Sequence, residues 1–327
     1  MKSSSRVSIT GATGFLGWHL AEAFRDRGWL VCAVVRPGSA KPVPEGVERV
    51  EAPLGGTRQG TDALIAACAG SALLIHGAAI VRAGRSQAFD ETNVQGTRAA
   101  VEAANAAGAR LLFVSSQAAA GPGTPEHPAR EDEAPHPVTP YGRSKLGAET
   151  IVRFETRVPW TILRPSAIYG PRDRGFLPIF RLARRGWFLQ LTRPQASFTF
   201  VYVHDVVRAV VLAAEQEKAS GATLFIGHAT PHRADDLLRY VAEAVGRPYR
   251  PREVPPALLG ALAWGGDLWW KLGGTPLVDT ARLSELRADG FVCSVDRARE
   301  RIGFVADVPL GEGIARTAEW YRERGWI

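Results

Sequence analysis

The chain has 327 residues, 46% hydrophobic and 22% charged, a balance that fits a globular protein with one large domain or two joined lobes. Its net charge is +7, but the basic residues are scattered, no run exceeds Arg184-Arg185, and only five of the forty are Lys. That pattern reads as a solvated surface with a modest attraction for anionic cofactors and substrates, and it argues against a nucleic-acid footprint. In chain order, Arg6–Thr10 reads as a strand, then a glycine turn, then a helix over Trp18–Arg27. Leu30–Val35 is a second strand, followed by an extended run at Val47–Glu51 and a helix at Thr61–Cys68. Ala72–His76 is the next strand, Glu91–Ala107 a helix, and Leu111–Ser115 a strand. A surface loop with six prolines fills Gly121–Pro140; a helix then runs from Tyr141 to about Arg153, and a strand covers Trp160–Arg164.

Strands that are apolar throughout and alternate with helices imply an α/β fold with a parallel sheet covered on both faces. The expected architecture is a doubly wound Rossmann-type sheet with a smaller C-terminal substrate-binding lobe. Beyond Gly170 the alternation breaks down. Helices are expected at Phe176–Arg185, Val206–Gln216 and His232–Ala244, the last with Thr230 as N-cap and Pro231 at N1, and an extended run at Phe198–Val203. The expected division is 1–171 for dinucleotide binding, with 198–228 returning to it, and 172–197 with 229–327 for the substrate lobe.

Cys32, Cys68 and Cys293 lie far apart without paired metal-ligand spacing, so they read as buried thiols in a reducing compartment, and no metal is expected. Met1-Lys-Ser-Ser-Ser-Arg6 runs straight into the first strand, leaving no room for a signal peptide, and no stretch has bilayer-spanning length. A cytoplasmic location is expected.

The first turn carries Gly11, Gly14 and Gly17 in Thr-Gly-Ala-Thr-Gly-Phe-Leu-Gly. Between a strand and a helix, Gly11 permits a tight turn, Gly14 a close backbone approach to a pyrophosphate, and Gly17 tight packing of helix on strand. The anion would meet free amides at the helix N-terminus. At the end of the second strand, where a carboxylate would select NAD, the chain has Arg36, which suits a 2′-phosphate, so NADPH is expected over NADH. Tyr141 and Lys145 stand at i, i+4 on one helix face, with Ser116 upstream. A free phenol with a pKa of about 10 is a poor acid or base at neutral pH, and an adjacent ammonium lowers that pKa. The dinucleotide turn and the Ser-Tyr-Lys set together indicate a nicotinamide-dependent oxidoreductase.

With these residues the chain resembles the extended short-chain dehydrogenase/reductase family, the NAD(P)-dependent epimerase/dehydratase superfamily, over essentially its whole length. Further matching blocks are His76-Gly-Ala-Ala79, Asn93-Val-Gln-Gly-Thr97, Val114-Ser-Ser116, Leu163 to Pro171, Val203-His-Asp-Val206 and Glu319 to Trp326. The resemblance implies that Ser116 hydrogen-bonds the substrate oxygen, Tyr141 exchanges its proton, and Lys145 holds the nicotinamide ribose and tunes Tyr141. It assigns cofactor contacts to Thr13, Phe15, Leu16, Leu54, His76, Ala78, Ala79, Asn93 and Pro165 as well, with Asn93 ordering backbone and His76 acting through its own. Ser115 should point away from Ser116, and His204-Asp205 reads as a helix start.

Ser166 stands where many sugar-nucleotide members carry Asn, and Phe198 stands where they carry Arg. These departures, Arg36, and the apolar stretches Ala257–Trp264 and Leu268–Leu272 point to the dihydroflavonol-reductase-like and 3β-hydroxysteroid-dehydrogenase-like branch. The stretches read first as core packing of an amphipathic helix, and otherwise as a hydrophobic substrate mouth or a membrane-surface contact. The implied substrate is a small hydrophobic ketone or the matching secondary alcohol, and the implied assembly a homodimer. The rival readings are a sugar-nucleotide epimerase or dehydratase and a non-enzymatic dinucleotide-binding sensor. The Tyr141–Lys145 pair argues against the sensor.

Overall fold

In strand β2 (Leu30–Val35), Val31, Ala33 and Val35 pack into one hydrophobic core while Cys32 and Val34 pack into another. The period of two puts a covered layer on each face of the sheet. The structure is a computed structural model that describes residues 5–54, 57–83, 87–193, 195–272, 278–280 and 283–327.

Beside β2 lie β1 (Arg6–Thr10), β3 (Glu48–Glu51), β4 (Leu73–His76), β5 (Arg110–Val114), β6 (Trp160–Pro165) and β11 (Ala222–Ile226). They form a seven-stranded parallel sheet in the order β11-β6-β5-β4-β1-β2-β3, a doubly wound α/β fold. The strand order reverses between β1 and β4, so the carboxyl ends of those parallel strands open the crevice where such sheets bind ligands. One face is covered by α1 (Phe15–Asp26), α7 (Val203–Glu215) and α11 (Asp296–Ile302). The other carries α2 (Arg58–Cys68), α4 (Gln95–Ala107) and α5 (Pro140–Glu155). A short turn, α3 (Gln87–Phe89), passes through a wide π-type turn at Asp90–Val94 into α4.

A third core gathers Tyr169, Phe180, Phe200 and Tyr321 among α6 (Leu177–Arg184), α8 (Ala234–Ala244) and α12 (Leu310–Glu323). Small sheets frame it: β7 (Ala167–Tyr169) with β10 (Phe200–Tyr202), β8 (Phe188–Gln190) with β13 (Pro251–Glu253), and β9 (Ser197–Phe198) between β12 (His232–Arg233) and β14 (Gly290–Phe291). The remaining helices are α9 (Pro256–Lys271) and α10 (Leu283–Arg287).

Four expectations are corrected. Helix α1 starts at Phe15, not Trp18, because Gly14 is itself the N-cap. Thr230-Pro231 does not open the next helix; His232–Arg233 pairs antiparallel with β9, and α8 starts at Ala234, where Asp236 accepts from the Arg233 N–H at 2.9 Å. The run Phe198–Val203 divides at Thr199 between two sheets, and Val203 already belongs to α7. The core reading of the apolar stretches fails for most of α9, where Leu259 and Ala263 are buried while Leu258, Leu262, Trp264, Leu268 and Trp269 are exposed. Among the described residues, no helix is long and apolar enough to cross a membrane.

The proline-rich loop is tied down along its length. Gly123 and Ala129 form bridges to Phe291 and Cys293. Buried Glu131 accepts from the Phe225 N–H on edge strand β11 at 2.9 Å, and burial raises its pKa.

Candidate active site

Gly11 adopts φ +78°, and a Cβ there would come within 2.8 Å of the Ala78 amide nitrogen. A Cβ on Gly17 would overlap the Gly11 carbonyl oxygen, so helix α1 can leave β1 this closely only with glycine at that position. Gly14 is exposed and caps α1 without a side chain, and the first turn holds no acidic residue. The leading amides, at Phe15 and Leu16, therefore carry no capping side chain, the arrangement a pyrophosphate requires. Thr13 is partly buried in the same turn. Across the crevice, the Thr10 hydroxyl joins two groups of the β4 end, His76 Nδ1 at 2.7 Å and the Ala78 N–H at 3.3 Å. The residues present fit a dinucleotide.

His76 is buried between Thr10 and Thr97, whose hydroxyl lies 3.1 Å from Nε2, and its ring stacks on Phe113. Burial and the Lys145 charge hold its pKa down at about 3, which leaves a neutral ring suited to structure rather than proton transfer. Asn93 accepts from the Ile80 N–H at 2.8 Å and donates to Ile80 O at 3.0 Å, fixing the backbone just past Ala78 and Ala79. Pro165 ends β6 buried, and partly buried Leu54 lies over Gly96. Arg36 is exposed just past β2 and lines a surface hollow of about 570 Å³ with Ser39 and Lys41. Gly38, in the lining of that hollow, donates its N–H to Glu51 at 3.2 Å; this bond keeps the Glu51 carboxyl below its usual range.

Ser116, Tyr141 and Lys145 come from two elements pressed together. Ser116 follows β5, and its Oγ accepts from the Ala118 N–H at 3.1 Å, closing a tight turn at Gln117–Ala119. Thr139 caps α5 by accepting from the Gly142 N–H at 3.0 Å, and Pro140 is its first residue. Tyr141 is thus in the first turn of α5, half-buried, with its ring 6.5 Å from that of Phe89. Lys145, one turn on, is buried and donates to Val114 O at 2.7 Å with its ammonium 4.2 Å from the Phe113 ring centroid. Burial lowers its pKa to about 7, with Glu149 opposing the fall.

Two features of this site were not read from the sequence. The first is Gly142, where a Cβ would overlap the Ala118 carbonyl oxygen, so the missing side chain lets α5 rest on the Ser116 turn. A small residue directly after the tyrosine was the available signal. Gly142→Ala should push the start of α5 away and lower kcat by at least ~10-fold, since displacement of about 1 Å can cost ~10²-fold. Cofactor affinity should hold, because the dinucleotide turn lies elsewhere; paired kinetics and equilibrium binding check both halves.

The second is a buried network behind the site. Glu149, 0% exposed, accepts from Arg164 Nε at 2.9 Å and Nη2 at 2.7 Å, and from Ser115 Oγ at 2.6 Å. Ser115 thereby turns away from Ser116. Ser144 donates to Tyr141 O at 2.7 Å and accepts from Asn93 at 2.9 Å, linking α5 to the π-type turn. Beside the loop that leads into Tyr141, a cleft of about 670 Å³ is lined by Pro122, His127, His136, Ser284 and Arg287.

The sequence profile of the NAD dependent epimerase/dehydratase family matches residues 7–227. The chain belongs to that family. Family members use an NAD(P) nucleotide, in keeping with the dinucleotide turn described above. The chain is 32% identical to a ceramide reductase of Caulobacter vibrioides, across 98% of this chain and 96% of that protein. It is 28% identical to a 3 beta-hydroxysteroid dehydrogenase/Delta 5-->4-isomerase of Mycobacterium tuberculosis, covering 91% and 85% of the two chains. Among solved structures, MoeE5 in complex with UDP-glucuronic acid and NAD superposes with a TM-score of 0.75 at 26% identity, over 98% of this chain and 100% of that one. The family assignment supports an NAD(P)-dependent enzyme.

Proposed function

We propose that the protein is an NADPH-dependent reductase of a hydrophobic ketone or, in the reverse direction, an NADP+-dependent dehydrogenase of the matching secondary alcohol. The observation that carries the reading is the seating of α5 on the turn after Ser116 through Gly142, which packs the helix that carries Tyr141 and, one turn on, buried Lys145 against the element that carries Ser116. Gly11, Gly14, Gly17 and Arg36 would hold the dinucleotide, which supplies or accepts the hydride when bound. Tyr141 gives its proton to the substrate oxygen, or takes it in the reverse direction. Ser116 donates a hydrogen bond to the same oxygen and stabilises the charge that develops there. Lys145 in its charged form favours the phenolate of Tyr141.

The substrate class rests on what the lobe lacks. Phe198 packs against Phe200 with ring centroids 6.2 Å apart, and Ser166 has a buried hydroxyl with no hydrogen-bond partner among the described residues. Neither can grip a diphosphate as a guanidinium or amide would. The names of the ceramide reductase and the hydroxysteroid dehydrogenase place similar chains on lipidic substrates. The UDP-glucuronic acid complex of MoeE5 favours the sugar-nucleotide reading, which stands second. Competition decides between them: hydrophobic ketones of steroid and long-chain types should protect the NADPH-loaded protein against thermal unfolding, and UDP-sugars should not. Protection by UDP-sugars alone would reverse the order.

The coenzyme preference has its own test. Arg36→Ala should weaken NADPH roughly ten- to a hundredfold, the value of about 1.5–3 kcal/mol for a hydrogen bond to a charged group, and leave NADH unchanged. Equal affinity of the unmodified protein for both coenzymes would remove the role given to Arg36.

A further inference from the structure

Helix α9 presents an apolar surface to solvent. Leu258, Leu262, Trp264, Leu268, Trp269 and Leu272 are each between 46% and 74% exposed. At about 100° per residue, these six side chains fall within one arc of roughly 160°, and no charged residue lies inside it. The inner side is narrower and consists of buried Leu259, Ala263 and Gly266 with half-buried Trp270 among them. Asp267, on the side opposite the arc, is engaged by Thr280 through its N–H and its hydroxyl, so the helix is anchored with the apolar arc outward. A helix that is hydrophobic nearly all round belongs inside a protein or in contact with lipid, and this one is at the surface.

Its ends carry more basic than acidic side chains, with exposed Glu253 the acidic residue just before the helix. Arg250 and Arg252 precede α9 in the chain, and Arg252 stacks on exposed Trp187 at 4.3 Å, next to Arg184 and Arg185. None of these four arginines has an ion-pair partner among the described residues, and Lys271 closes the far end of the helix. A wide apolar arc with tryptophans, framed by basic side chains, matches a bilayer surface: hydrocarbon for the leucines, the interface for indoles, anionic headgroups for the guanidinium groups. A protein partner would be expected to find hydrogen-bonding groups within such a face, and this arc offers none apart from the indole N–H groups of the two tryptophans.

We infer that α9 is a monotopic membrane-docking helix that seats the protein on an anionic lipid surface. It packs against α10, whose Ser284 and Arg287 line the cleft beside the active site, so docking brings that cleft to the lipid. Docking needs only the exposed apolar arc and the basic side chains, whatever the substrate.

The test is sedimentation of the full chain with vesicles of phosphatidylcholine alone and of phosphatidylcholine with phosphatidylglycerol. The expected result is binding that is stronger on the anionic vesicles and weakened by salt. The combined variant Trp264→Ser, Leu268→Ser, Trp269→Ser should bind at least tenfold more weakly, with circular dichroism and NADPH affinity unchanged. Quenching of tryptophan fluorescence by brominated lipid in the unmodified chain reads insertion without any substitution. Three outcomes would overturn the inference: no vesicle binding, equal binding by the variant (charge attraction alone), or a concentration-dependent dimer that the variant abolishes while vesicles remain unbound (a second copy on this face).

Discussion

Tyr141→Phe should lower kcat by at least ~10²-fold while NADPH still binds, because the substitution removes one hydroxyl and keeps the ring. The ring lies near Phe89 in the first turn of α5, and both that contact and the Thr139 cap survive the change. The loss should therefore appear in the chemical step rather than in folding or binding. Steady-state kinetics alongside a NADPH titration would separate these. A variant that retains turnover would remove Tyr141 from the proton path and leave Ser116 as the remaining hydroxyl of the set.

Glu149→Ala should destabilise the fold by about 3–5 kcal/mol, the usual consequence of removing one member of a buried ion pair. Arg164, 2% exposed, would keep its guanidinium beside Phe225 without the carboxylate that now accepts two of its hydrogen bonds. Set against a typical total of about 5–15 kcal/mol, that is a large share. The variant also takes from Lys145 the one charge that opposes the effect of burial, so its pKa should fall further below about 7. Denaturant unfolding reads the first effect. A change below about 1 kcal/mol would mean that water reaches Arg164 and that the pair is not structural.

The dinucleotide half of the fold was legible because its signals are local. Apolar strands, the glycine turn and the Tyr-x-x-x-Lys spacing each depend on residues adjacent in the chain, and the parallel sheet follows from their alternation. What escaped depends on distant partners. The pairing of His232–Arg233 with Ser197–Phe198 replaced a helix start that Thr230-Pro231 signals locally. The break at Thr199 arises because its two flanks join different sheets. Gly142 escaped because its role depends on Ala118, which is distant in sequence. Helix α9 was misread toward the core because its composition is that of a core helix, and only its position in the fold exposes it.

The proposed reaction is net hydride transfer to a carbonyl carbon with Tyr141 supplying the proton. Deuterium-labelled NADPH, incubated with the protein and a hydrophobic ketone and followed by mass spectrometry, tests it most directly. The expected result is deuterium on the carbinol carbon of the product, with consumption of NADPH in equal amount and label transfer at least ~10²-fold slower in Tyr141→Phe. Epimerised UDP-sugar with the coenzyme pool unchanged, and no label in any alcohol, would contradict it.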